Sequence, residues 1–114
     1  MNLFLKLFGG LTARGRALAA YRRGMQKVGE RDLEGAIVEY TIVVEMKDAP
    51  EDVVAMALLN RALAYSHAHQ DDKAGVDLHR LLQMPAASTQ VLHAAHEKLR
   101  RMQRRVSHSE QHAK

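Results

Sequence analysis

The side chains best equipped for chemistry in this 114-residue sequence are seven histidines and a run of arginines towards the C-terminus. His67 and His69 lie two residues apart. His93 and His96 lie three apart, which on a helix puts them on one face. Two imidazoles at that spacing can share a metal ion, but a stable site needs three or four ligands, and only Asp71, Asp72 and Glu97 stand close enough in sequence to add to them. Residues 93–97 are not the zinc-protease motif, in which glutamate directly follows the first histidine. Scattered surface histidines are the simpler account, so neither a metal nor another cofactor is expected. Ser66, Ser88, Ser107 and Ser109 occupy no nucleophile elbow. Gly9, Gly10 and Gly15 lack the Gly-Lys-Ser/Thr of a phosphate loop. The chain has no cysteine, which excludes thiol catalysis, thiolate metal sites and disulfides. No catalysis is expected.

What remains is electrostatic. The net charge of +4 hides blocks: +6 over residues 1–29, −6 over 30–52, balance over 53–83 and +4 over 84–114. Lys98, Arg100, Arg101, Arg104 and Arg105 form a basic cluster that, with Arg22 and Arg23, could contact phosphates with strong salt dependence. Aromatic residues are only 4%, so little is available to stack on bases. Cations late in a helix also favour the helix dipole without any partner. A nucleic-acid-associated protein is therefore the second reading.

These side chains must be positioned by helices. Composition is that of a globular domain, with 46% hydrophobic and 26% charged residues, and few aromatics favour helix over strand. Helical spacing predicts five segments. The first covers about 12–29: Leu18, Tyr21, Met25 and Val28 recur on one side, Ala13, Ala17, Ala20 and Gly24 on another, and Gly29 supplies a stop. The second covers about 33–46, capped by Asp32, with Leu33, Ala36, Ile37, Tyr40, Val43 and Val44 on one face. The third covers about 50–68. Asp48 with Glu51 reads as a capping box, and Pro50 falls in the first turn. It is apolar on two sides, through Val54, Ala57, Leu58, Ala62 and Tyr65 and through Met56, Leu59 and Leu63, which marks it as central. The fourth covers about 71–83, opened by Asp71 or Asp72, with Ala74, Leu78, Leu81 and Leu82 inward and Pro85 beyond. The fifth covers about 88–106, capped by Ser88 or Thr89, with Val91, Ala95, Leu99, Met102 and Val106 as its stripe. Residues 107–114 read as a polar, fraying tail.

The first two pairs of segments repeat at an offset of 38: Gly24 aligns with Ala62, Ala36 with Ala74, Tyr40 with Leu78 and Val43 with Leu81. One such hairpin cannot bury its apolar face alone, so copies must stack. In these positions the sequence resembles the tetratricopeptide repeat, a unit of about 34 residues with small side chains where helices cross. The family's small first-helix position matches Gly24 and Ala62, its later tyrosine Tyr65, its alanine Ala36 and Ala74, and its following aromatic Tyr40. Its early tryptophan is replaced by Ala20 and Leu58, Lys27 stands where the first copy would carry the tyrosine, and its closing proline is displaced to Pro50 and Pro85. The resemblance spans about residues 17–85. It implies an all-α fold, a right-handed superhelical stack of antiparallel helix pairs. The repeats would cover about 17–50 and 55–85, and a capping helix about 88–106, within a domain spanning 11–106.

The resemblance also implies a function: a non-catalytic protein-interaction module or adaptor, whose first helices line a concave groove for a peptide or partner helix. Carried over by position, that groove holds Leu18, Tyr21, Arg22, Met25, Met56, Leu59, Asn60, Leu63 and His67, with His93 and His96 added by the fifth helix. The expected partner is an unidentified protein segment or a second copy of the chain; the equal alternative is that these side chains pack internally. Some members of the family clamp chaperone C-terminal carboxylates. Asn60 matches one clamp asparagine, but Tyr21 and Met25 stand where the clamp needs lysine and asparagine, so that ligand is not expected. Residues 1–8 are apolar except for Asn2 and Lys6. They are too short to span a membrane and lack a signal peptide's leading charges. They read as a tail docked on the domain or on a second copy, in a cytoplasmic protein with no stable membrane insertion.

Overall fold

The periodicity of the sequence becomes five helices in the computed structural model, which describes residues 12–112: α1 (Ala13–Gly29), α2 (Leu33–Glu45), α3 (Glu51–His67), α4 (Asp71–Leu82) and α5 (Thr89–His112). The described chain is all-helical. No helix among the described residues is long and apolar enough to cross a membrane. The apolar segment 1–8 expected to dock lies outside the described residues, as do residues 113–114.

Helix starts follow the caps in three of five cases. Thr12 accepts the Gly15 amide, Asp32 the Gly35 amide and Ser88 the Val91 amide through their side chains. The expected capping box of α3 does not form. Its N-cap is Pro50, with no side-chain cap, and Asp48 instead takes a hydrogen bond from Arg16 at 2.6 Å. Likewise α4 is opened by Gln70 without a side-chain cap, and Asp71 and Asp72 stand in its first turn. There their charge favours the positive end of the helix dipole.

The two hairpin turns are built alike, 38 residues apart. Asp32 donates to the Lys27 carbonyl and Arg31 to that of Val28; Gln70 donates to Tyr65 and His69 to Ser66. This is the Schellman pattern, which needs a left-handed residue after the helix. Arg31 (φ 63°) and His69 (φ 62°) adopt that conformation. The first helix ends at Gly29 as expected, but the left-handed residue of its turn is Arg31, two positions on.

Packing centres on α3, which touches all four other helices; α1 packs on α2, and α4 on both α3 and α5. The eight aligned residues Gly24, Ala62, Ala36, Ala74, Tyr40, Leu78, Val43 and Leu81 are all buried. Leu58, Val53, Ala17, Ala20 and Ala57 complete the centre of the core. Burial of such side chains stabilises by about 1.5–3 kcal/mol for each large one. Ala95 and Met102 of α5 are buried, with Val91 and Leu99 packed beside them. The helix then runs past the domain. Val106, expected in the core stripe, is 56% exposed. The tail expected to fray from Ser107 continues as helix to His112, tied at Arg105 to Asp71 by a 3.0 Å ion pair.

Candidate functional site

Helices α1, α3 and α5 touch one another through α3, whereas α2 and α4 make no contact with each other. The outward side of α1 and α3 is the face the sequence marks for a partner. Contacts around α3 define that side. Asn60 donates to the Tyr21 hydroxyl of α1 at 2.9 Å. Arg61 turns to Thr41 of α2 and Asp77 of α4. Ser66 accepts from Arg105 of α5. Met56, Leu63 and His67, spaced by seven and four residues, share the stripe of Asn60, on the side of α3 away from Arg61. His67 is exposed; Met56 and Leu63 are half-buried.

On α1 the same face carries half-buried Leu18 and Tyr21, exposed Arg22, and Met25 at 51% exposure. Leu18, Tyr21, Met56 and Leu59 also pack on the edge of the core. Internal packing and an open face are therefore both present in one stripe. Asn60 is committed: its two amide N–H groups go to Tyr21 and to the Met56 carbonyl, each at 2.9 Å. It positions Tyr21 rather than presenting donors outward. Burial raises the Tyr21 pKa, against the Asn60 hydrogen bond, which lowers it.

Helix α5 presents a different side from the one expected. Arg105 reaches Ser66 of α3. A cavity of about 620 Å³ joins Leu99, Gln103 and Ser107 to Asp72 and His79 of α4. The flank turned to α3 therefore holds Lys98, Arg101 and Arg105. His93 and His96 are exposed on the other sides of the helix. They do not belong with Met56 and Leu63.

The basic cluster is also rearranged. Lys98 is buried, because it sits three residues after Ala95 and four before Met102, inside the packed stripe. Burial lowers its pKa, with help from Arg105 and Arg101 and against Asp71. Arg100 pairs with Glu97, and Arg105 with Asp71. Arg101 and Arg104 are exposed with no carboxylate partner among the described residues. Arg23 pairs with Glu39 at 2.6 Å, whereas Arg22 has no such partner among the described residues.

No three histidine or acidic side chains come together to hold a metal among the described residues. A second cavity of about 580 Å³ is lined by Ser66, His69, Asp71, Arg105 and Ser109. Ser66 in its wall donates to Asp71 at 3.0 Å.

One polar cluster escaped the sequence. Asp77, 3% exposed, accepts two hydrogen bonds from Arg61 at 2.8 and 2.7 Å. Arg61 also donates to Thr41 at 3.1 Å and lies over the Tyr65 ring at 5.6 Å. The paired carboxylate raises the Arg61 pKa, against desolvation. The signal was available: Asp77 lies three residues after Ala74 and four before Leu81, an acid on an apolar stripe.

The chain matches no family model, and neither a curated protein nor a solved structure shows significant similarity to it.

Proposed function

We propose that this chain is a non-catalytic protein-interaction module, a short tetratricopeptide-like superhelix that holds a partner segment on the face of α1, α3 and α5. One observation carries this reading: the neighbouring helices α1 and α3 leave Leu18, Met25, Met56 and Leu63 part-exposed on a common side. A shared apolar surface of this kind favours association. Methionine adapts its shape to varied partners. The matched Schellman turns and the eight buried aligned residues support the repeat reading. The absence of cysteine suits a reducing, cytoplasmic setting.

The test is capture of partners from source-cell lysate at low and high salt, with wild type beside Met25→Ser/Leu63→Ser. Met25 and Leu63 are chosen because Met56 and Leu59 also support the core, so a loss of helicity would confuse the result. A protein retained at high salt by wild type and lost by the variant supports the module. Capture that the variant leaves unchanged overturns it.

A further inference from the structure

The outer face of α2 is the chemical counterpart of the α1/α3/α5 face. Val38 is 59% and Ile42 42% exposed. Glu34 lies four residues before Val38, and Glu45 three after Ile42, so the four side chains share one stripe. Both glutamates are exposed and neither forms a close ion pair among the described residues, although Glu45 also feels the charge of Arg61. The stripe is thus apolar at its centre and acidic at its ends. On the other side of the molecule, Leu18, Met25, Met56 and Leu63 are apolar. Arg22 and Arg101, exposed cations of that face, have no carboxylate partner among the described residues. The acid-ended stripe and the cation-rimmed face are complementary in charge and both apolar at the centre.

From this complementarity we infer that the occupant of the α1/α3/α5 face is α2 of a second copy of this chain. The inference rests on the reading of that face as a binding site. Within one chain the contact cannot form, because α2 packs against α1 and α3 from the opposite side. The equivalent stripe on α4 is a poorer fit: Val76 stands between Asp72 and Arg80, whose charges cancel. Residues 1–11 are a poorer fit too, since their single charged side chain, Lys6, has the sign of the rim. The two docking patches differ, so the contact is heterologous, and it adds copies head to tail unless a ring closes. Charge pairs would steer and register the contact, while Val38 and Ile42 supply the burial.

The experiment is sedimentation velocity over a concentration series. It uses wild type, an α2 variant (Val38→Ser/Ile42→Ser) and a face variant (Met25→Ser/Leu63→Ser), each first checked for helicity. Wild type is expected to grow beyond a dimer with concentration. Each variant alone is expected to associate at least about tenfold more weakly. Mixed in equal amounts, the α2 variant offers an intact face and the face variant an intact α2, so a dimer returns and stops there. Glu34→Arg/Glu45→Arg is expected to weaken association and Arg22→Glu/Arg101→Glu to restore it when mixed in. A wild type that stays monomeric, an α2 variant that associates like wild type, or a mixture that fails to recover a dimer overturns the inference. A monomeric wild type whose face still captures a lysate protein in a Met25- and Leu63-dependent way overturns self-docking alone and leaves the binding face standing.

Discussion

The Tyr40 ring comes so close to Gly24 that a Cβ on that glycine would overlap the ring. The aligned pair in the second hairpin, Ala62 with Leu78, solves the same crossing with one larger and one smaller side chain, both fully buried. Gly24→Ala is expected to destabilise: overpacking costs about 1–3 kcal/mol and better helix propensity returns about 1 kcal/mol. In a Tyr40→Leu background the same change is expected to become neutral or stabilising. Urea unfolding of the four proteins in this cycle reads the coupling directly. Equal effects of Gly24→Ala in both backgrounds would show that the ring does not set the size of residue 24.

A second prediction concerns Arg61 and Asp77, whose side chains are 13% and 5% exposed. Asp77→Ala leaves a guanidinium buried without its carboxylate and is expected to cost about 3–5 kcal/mol. Replacing both partners by apolar side chains, Arg61→Met/Asp77→Leu, is expected to recover most of that loss. Midpoints of chemical unfolding at neutral pH decide it. A double variant as unstable as Asp77→Ala would mean that the polar cluster, with Thr41, holds α2, α3 and α4 in a way packing cannot replace.

How much could be read from the sequence follows from the range of the forces involved. Helix positions and the inward faces depend on spacing within one segment, and Tyr40, Val43, Leu58, Leu78 and Leu81 were legible on that basis. Contacts across the chain were not. The capping box at Asp48 was locally sound, but Arg16, 32 residues away, competes for the carboxylate. The α5 extension looks like a polar tail until Arg105 meets Asp71, 34 residues before it. Lys98 was assigned to the surface by its charge alone, although its spacing from Ala95 and Met102 puts its stem in the packed stripe. Of the candidate face, Tyr21 of α1 and Asn60 of α3 meet in a hydrogen bond. His93 and His96 do not join them, because the side that α5 turns to α3 depends on how the last hairpin closes.

Burial, with a smaller contribution from Tyr21, pushes the Tyr40 phenol from 10.0 to about 12. In that interval the folded chain holds a proton that the unfolded chain has released, so stability falls as pH rises. The expected loss from Tyr40 alone is about 2 kcal/mol by pH 12. Tyr21 acts in the same direction, so Tyr40→Phe is expected to reduce the slope without abolishing it. Unfolding free energies measured across the alkaline range test this. A slope unchanged in Tyr40→Phe would assign the alkaline loss to other groups.

Lys98 carries the opposite sign. Its pKa is lowered in the fold, so the charged amine is disfavoured there relative to the unfolded chain, and stability on its account rises as pH climbs towards the ordinary lysine value. Lys98→Met keeps the stem and removes the charge. It is expected to raise the melting temperature at neutral pH, with the advantage shrinking at alkaline pH. A variant that melts lower at neutral pH would show that the amine finds stabilising charge near Asp71.

The two Schellman turns place non-glycine residues in the left-handed region, Arg31 and His69. An L side chain pays roughly 1–2 kcal/mol there, while glycine pays about 0.5–1 kcal/mol more entropy on folding. Arg31→Gly and His69→Gly are therefore each expected to stabilise by about 0.5–1 kcal/mol. Arg31→Val and His69→Val are expected to destabilise, because branching at Cβ sharpens the clash. The turns join different helix pairs, so the glycine gains should add in the double variant. Thermal and urea unfolding of the six proteins measures this. Gains at one turn only would show that the other side chain repays its backbone conformation through contacts of its own, which for His69 would be those with the Arg105 and Ser109 wall of the cavity it lines.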